Sequence, residues 1–553
     1  MLWLRRVFYV LLIASFISFA LLHNYSAIQD CHFPSPSPRV PRWTPRFISP
    51  QSQAPFRLLA FGDPQLEGDT SIPNVIRDSY RPSKLRLRLS QNRNPIKVLL
   101  EAVTDFFQYG ILGALYKLRK QADLIGNDYY LAHIYQTLQR QTDPTHVTVL
   151  GDLLGSQWID DTEFERRARR YWKRVFKNGI RVEDEITEEP TMEVLGEDKS
   201  WKQRIINIAG NHDIGYAGDL TKARLARFER AFGAPNWEIV FQVPSDRGDP
   251  AYLRLIILNS MNLDTPALDG NLQSQTYKSL NDIITRSEAV ENRSVGTILL
   301  THIPLHKQEG VCADAPYFSY GSNGHIREQN HLSEHSSRSI LEGVFGISGN
   351  TRAPYHGLGR KGIIINGHDH EGCDVWHYLP RISSEADASS RQWNASRYED
   401  SFLLTRATTV QKDDQYMPGI REVTLRSMMG EYGGWAYLVS GWVDNKTNEW
   451  RFEVSKCSAG VQHIWWAVHI LVLATAGIGG FLGISSLLGS SSKPAASVSI
   501  PTAHKRVPSI TLTPVYEDAI SPTSSVPRPP SPFDHFNGNM EMSGGRARRR
   551  RSS

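Results

Sequence analysis

Five times along this chain an aliphatic, strand-like run ends abruptly on a polar residue, and no other feature constrains the fold so much. Arg57-Leu58-Leu59-Ala60-Phe61-Gly62 delivers Asp63 and Gln65, and His146-Val147-Thr148-Val149-Leu150-Gly151 delivers Asp152. Arg204-Ile205-Ile206-Asn207-Ile208-Ala209-Gly210 delivers Asn211, His212 and Asp213. Val295-Gly296-Thr297-Ile298-Leu299-Leu300-Thr301 delivers His302. Gly362-Ile363-Ile364-Ile365-Asn366-Gly367 delivers His368, Asp369 and His370. A continuous apolar run is what a strand buried on both faces requires. Sheets of α/β proteins gather their ligand sites at strand C-terminal ends. Gly62, Gly151, Gly210 and Gly367 stand just before the polar residues, where sharp exits and close backbone approach favour a residue without a side chain.

The residue types decide the chemistry. Carboxylates, imidazoles and an amide, with no thiolate, suit manganese, iron or zinc rather than a structural cysteine-zinc site. Two such ions about 3.5–4 Å apart need a bridging oxygen ligand, which a carboxylate provides, and the pair activates water for in-line attack on a phosphoester. Singly, each signal is weak. A strand-end Asp is ordinarily a turn residue, and Asn-His can cap a helix. The joint occurrence of GNHD and GHDH, in this order and each after an apolar run, is not accounted for that way.

In this order of motifs, over about Arg57 to Trp376, the chain resembles the calcineurin-like metallophosphoesterase superfamily, whose pattern is D-x-H, GD, GNHD, a single H, then GHxH. The resemblance implies an α/β fold, a two-sheet metallophosphoesterase sandwich flanked by helices. By position, Asp63 and His370 would hold one metal, Asp152 would bridge, and Asn211, His302 and His368 would hold the second. His212 would act as general acid or transition-state stabiliser with Asp213 orienting it. Two departures stand out. Gln65 occupies the place of the family's His, where its amide oxygen would be a weaker ligand. The second motif, Gly151-Asp152-Leu153-Leu154-Gly155-Ser156, lacks the Asp or Asn often found a few positions on.

The chain's two ends are apolar. Val7–Leu22 is a run of 16 residues after Arg5-Arg6, and Trp465–Leu488 carries one His and no formal charge. The second suits a membrane span opened by an interfacial tryptophan pair. The first reads as a retained signal anchor, with a cleaved signal peptide as the other reading. Arg5-Arg6 before the first span and Lys493, Lys505 and Arg506 after the second place both termini in the cytosol and the middle across the membrane. The layout expected is a cytosolic N-terminus (1–6), an N-terminal transmembrane anchor (7–22) and a Pro/Ser-rich stalk (23–53). A lumenal domain (54–460), a C-terminal transmembrane helix (464–488) and a basic, disordered cytosolic tail (489–553) follow.

Four N-x-Ser/Thr sequons, at Asn24, Asn292, Asn394 and Asn445, fall between the spans; the last three are the glycosylation candidates. The four cysteines, Cys31, Cys312, Cys373 and Cys457, fall there too. They permit one or two disulfides in an oxidising lumen and exclude a disulfide scaffold. Cys312 and Cys373 flank a His- and Tyr-bearing loop, and a bond between them would pin it near the site. The net charge is +5. From Lys493 onward there are nine basic and four acidic residues, so the tail carries the whole imbalance and the body gives no reason to expect nucleic acid.

The motif set GDPQLEGD, GDLLGS, GNHDIGY, THIPLH and INGHDHEGCD, on a lumen-facing domain between two spans, is similar to the glycosylphosphatidylinositol (GPI)-glycan remodelling phosphoesterases of the early secretory pathway. That resemblance implies removal of ethanolamine-phosphate from a mannose of the GPI anchor, with the second mannose favoured. It also implies a GPI-anchored glycolipid substrate, manganese as the metal with zinc or iron as alternatives, cargo-export machinery as partner, and an endoplasmic reticulum membrane or early Golgi location. The competing readings are a general lumenal phosphatase and a cargo adaptor with a vestigial metal site.

Between Asp63 and Asp152 lie 88 residues. The stretch Ile96–Lys117 reads either as an amphipathic lid or as a helical insert packed on the sheet. The alternating runs between Val410 and Val454 read as antiparallel edge strands completing the second sheet. Phe228, Phe232 and Trp237 read as core aromatics.

Overall fold

The computed structural model describes residues 2–29, 31–36, 53–68, 112–244, 250–350, 352–379, 392–400, 419–445 and 447–490, with 96, 100, 103, 104 and 107 besides. Half of the Ile96–Lys117 stretch, Phe106 included, the greater part of the stalk and the basic tail lie outside them.

Among the described residues two large sheets form. The first holds β1 (Phe56–Phe61), β2 (His146–Val149), β3 (Ile180–Arg181), β5 (Arg204–Asn207), β15 (Trp435–Asp444) and β16 (Glu449–Ser458), in the order β16-β15-β1-β2-β5-β3. The second holds β4 (Thr191–Val194), β6 (Trp237–Val243), β7 (Ala251–Ile257), β8 (Val295–Leu300), β11 (Lys361–Asn366), β12 (Cys373–Tyr378), β13 (Asn394–Arg397) and β14 (Gly419–Thr424). Its order is β13-β12-β14-β11-β8-β7-β6-β4. A ribbon of β9 (Phe318–Tyr320) and β10 (Ile326–Gln329) stands apart.

The apolar runs become the parallel centre of each sheet. β1, β2 and β5 are parallel neighbours, as are β8 and β11. Both faces of these strands are covered, which is why their sequences do not alternate. On β1, Phe56, Leu58 and Ala60 meet Ile239, Leu255, Ile298 and Ile365 of the second sheet in the inter-sheet core. Leu59 and Phe61 point the other way, into a cluster with Tyr130, Ile134, Tyr135 and Leu138. Those four lie on the long helix Leu112–Thr142. At ~1.5–3 kcal/mol for each large side chain removed from water, the two layers account for the sandwich. Phe228, Phe232 and Trp237 are buried, the first two on helix Lys222–Phe232 and the third opening β6.

The C-terminal strands differ from the expectation in placement. β14 lies inside the second sheet, between β11 and β12. β15 lies inside the first sheet against β1, and β16 is its edge. Alternation identifies a strand, but its neighbour is set by where the chain crosses, so β14 and the β15–β16 hairpin end in different sheets.

Helices Leu2–Ile28 and Gln462–Ser490 are each long and apolar enough to cross a membrane and extend beyond the runs read from sequence. They lie side by side, with a 2.8 Å hydrogen bond between the hydroxyls of Ser15 and Thr475. Cys31, just after the first, is bonded to Cys457, just before the second.

Candidate metal centre

The five run-ends meet. β1, β2 and β5 come from one sheet and β8 and β11 from the other, and all five point their C-terminal ends to one place. The backbone there is forced. Asp63 (φ 46°), Gln65 (φ 40°), Asp152 (φ 48°) and His368 (φ 75°) all occupy the left-handed region, a strained state for residues with a side chain that is kept at functional sites. Gly151 (φ 91°) has no alternative, because a Cβ there would overlap the His302 ring. At Gly210 a Cβ would overlap Asp152.

Two ligand clusters share one residue. Asp152, His302 and His368 present donor atoms within 4.8 Å of one another, and so do Asp63, Asp152 and His370. Asp63, Asp152 and His302 are buried. His302 Nε2 lies 3.4 Å from Asp152 Oδ1 and 3.1 Å from Asn211 Oδ1. Gln65 Nε2 is 3.1 Å from both Asp152 Oδ2 and His370 Nε2, so the amide nitrogen faces the first cluster, and ligation through the oxygen requires the amide to turn over.

The outer nitrogen of each imidazole is occupied. His302 Nδ1–H donates to Leu150 O at 2.6 Å, and His368 Nε2–H to Gln329 O at 2.9 Å. His370 Nδ1 lies 3.2 Å from the Tyr432 hydroxyl. Each inner nitrogen is thereby left with its lone pair toward the carboxylates, the arrangement by which a metal-ligating His is usually oriented. Asp63 Oδ2, fully buried, has no hydrogen-bond partner, and such an atom calls for a cation.

The electrostatics agree. Burial pushes Asp63 well above the usual carboxylate range, with His302 pulling the other way. Burial also works against charge on Asp152, but His212, His302 and His368 hold it below the usual range. Against its own burial, His302 is drawn up to about 9 by Asp152 and Asp63. Burial and the neighbouring His302 push His368 down to about 3. A buried carboxylate pair that raises an adjoining buried imidazole in this way makes a strongly negative site, which favours divalent cations.

His212 projects from the short helix Asn211–Ile214, a third of its side chain exposed, with Nε2 3.7 Å from Asp152 Oδ2 and Nδ1 unpartnered. It faces the open side of the cluster. The Asp213 carboxylate accepts N–H bonds from Gly210, Leu153 and Leu154 at 2.9–3.2 Å. It therefore fixes the two loops that carry Asp152 and His212 rather than the imidazole ring, as sequence reasoning had it. Asp369 is buried and accepts from Glu371 N.

Sequence reasoning missed Tyr432 and the Leu150 and Gln329 carbonyls. Only Tyr432 left a trace, in the turn Gly430-Glu431-Tyr432-Gly433-Gly434. It also missed Glu422, buried behind the site and bonded to Leu305 N, Asn366, Lys307 and His377 at 2.6–2.9 Å. Cys312 and Cys373 are bonded. Of the sequon residues, Asn24, Asn292 and Asn445 are exposed and Asn394 is half-buried on β13.

No protein-family model matches the chain. Protein TED1 of Saccharomyces cerevisiae is 31% identical over 404 residues, 64% of this chain and 76% of that protein. An uncharacterised protein of Schizosaccharomyces pombe is 28% identical over 370 residues, 63% and 78% of the two chains. Metallophosphoesterase 1 of Danio rerio is 21% identical over 334 residues, 58% and 73%. Fold, ligand clusters and relatives together define a metal-dependent phosphoesterase. The chain belongs to the calcineurin-like metallophosphoesterases, in the branch that holds Protein TED1 and metallophosphoesterase 1.

Proposed function

We propose that this protein is a dinuclear-metal phosphodiesterase that removes an ethanolamine-phosphate branch from a mannose of GPI anchors, the second mannose being favoured, and so aids export of GPI-anchored proteins. The observation that carries the reading is that Asp152 belongs to both ligand clusters, as a bridging carboxylate must. In this reading Asp63, Gln65 and His370 hold one ion, Asn211, His302 and His368 hold the other, and manganese is the metal. Ions held there supply Lewis acidity toward the phosphodiester and a water nucleophile at neutral pH. His212, on the open side, donates a proton to the departing mannose oxygen. Asp213 keeps its loop and that of Asp152 in register.

The same reading puts the domain in the lumen of the endoplasmic reticulum with both termini cytosolic. Two disulfides favour an oxidising compartment, and Asn292 and Asn445 are open to glycosylation.

The test is mass spectrometry of GPI glycans from cells lacking the protein. Ethanolamine-phosphate is expected to persist on one mannose, to be lost on return of the wild-type chain, and to persist with Asp152→Asn. Unaltered glycans in the deleted cells would overturn the reading.

A further inference from the structure

A cavity of about 890 Å³ opens between the metal loops and the head of helix Gln462–Ser490. Its inner wall is tied to the metal-centre loops. The Tyr432 hydroxyl lies 3.2 Å from His370 Nδ1. Lys120 Nζ lies 2.8 Å from a carboxylate oxygen of Glu67, two residues beyond Gln65. The Arg426 guanidinium lies 3.3 Å from Glu371, next to His370. The outer wall includes Trp466, in the first turns of a helix apolar enough to span a bilayer. Trp466 packs against Gly126 of the long helix, where any Cβ would overlap its ring. One wall therefore backs onto the loops of the metal centre, and the other sits where an interfacial tryptophan meets the membrane.

The lining matches one ligand chemistry. Tyr432, Trp435 and Trp466 line it with aromatic rings for the C–H faces of sugars, Lys120 and Arg426, each also paired with a carboxylate outside the lining, add cations for a phosphate, and Asp123 and Glu431 add acceptors for hydroxyls or an amine. The volume falls in the range of small-ligand sites and excludes a folded protein.

We infer that this cavity is a second binding site, for the sugar-phosphate headgroup of an anionic glycolipid still seated in the bilayer, and that it delivers the substrate to the metal centre from the membrane side. The inference deepens the function proposed above and rests on it. It explains why the catalytic domain and the second apolar helix share a wall.

The test uses the full wild-type chain in nanodiscs and, as probe, a GPI glycolipid with no ethanolamine-phosphate branch, so that binding is read without turnover. The expected result is saturable binding, weakened at least about tenfold by Lys120→Glu, on a partly exposed helix face, and likewise by Trp466→Ala. The water-soluble headgroup without its lipid is expected to bind about tenfold more weakly than the glycolipid. No binding by the wild-type chain, or equal binding by both variants, overturns the inference. Headgroup and glycolipid binding equally overturns delivery from the membrane side. Binding with no release of ethanolamine-phosphate from a branched glycolipid sinks the proposed function and leaves the cavity assignment standing.

Discussion

His370 is gripped from two sides: Gln65 at its inner nitrogen and the Tyr432 hydroxyl at its outer one. Removing the hydroxyl leaves the ring free to turn and less basic. Tyr432→Phe is expected to weaken the first metal about 10–100-fold, the range for loss of a ligand's outer partner. Metal retained after dialysis, read by elemental analysis, checks this. An amide oxygen is a poorer donor than an imidazole, so Gln65→His is expected to retain that ion more tightly; unchanged stoichiometry would show that residue 65 is not a ligand. The residues that converge here were legible because each closes an apolar run. Their outer partners were not. A carbonyl such as Leu150 O has no signature in a sequence, and Tyr432 is brought to His370 across 62 residues by the crossing from β14 to β15.

At the scale of elements, the parallel centre of each sheet was legible and the placing of β14 and β15 was not, because a strand's alternation says nothing about its neighbour. Two buried ionisable groups then set how these elements respond to pH and substitution. His146 opens β2 packed among Phe56, Trp201 and Phe241, with Nε2 unpartnered. Burial, with Arg57 and Arg204 nearby, pushes it down to about 3. The unfolded imidazole titrates near 6.5. As pH falls below about 6.5 the unfolded chain gains a proton that the folded chain refuses, so stability declines until about pH 3. At pH 5 this amounts to about 2 kcal/mol. His146→Phe should shrink the drop in melting temperature between pH 7 and pH 5, and an unchanged drop would remove His146 as its cause. Glu422 on β14 holds Lys307, His377 and the two loops behind the metal centre. Burial opposes its charge, yet Lys307 and His377 hold it below the usual range. Glu422→Gln leaves the Lys307 ammonium buried without its counter-ion, a loss of about 3–5 kcal/mol. Adding Lys307→Met should recover part of that in a melting experiment; no recovery would mean that the ion pair is not the source.

Across the whole molecule, the N-terminal helix is built into the fold. Leu22 belongs to the same apolar cluster as Tyr130 and Leu131. Ser26 hydrogen-bonds Gln141, whose amide also donates to His23 O at 2.6 Å. The Ser15 hydroxyl meets that of Thr475, which itself donates to Leu471 O at 2.8 Å, a polar contact between two largely apolar helices. The Cys31–Cys457 bond closes a separation of 426 residues where both helices meet the sandwich domain; such bonds typically add about 2–4 kcal/mol. Cleavage after Leu22 would discard Ser15 and Leu22, and with them the polar contact to Thr475 and part of the apolar cluster around Tyr130. The mature protein is therefore expected to keep its first helix as an anchor. A non-reduced peptide map should contain residues 7–39 joined through Cys31 to the peptide carrying Cys457. A mature N-terminus beyond Leu22 would overturn the two-helix anchor. Cys31→Ser is expected to lower the melting temperature without changing the metal content, because the metal-centre loops are fixed within the sandwich and not by the helices beneath it.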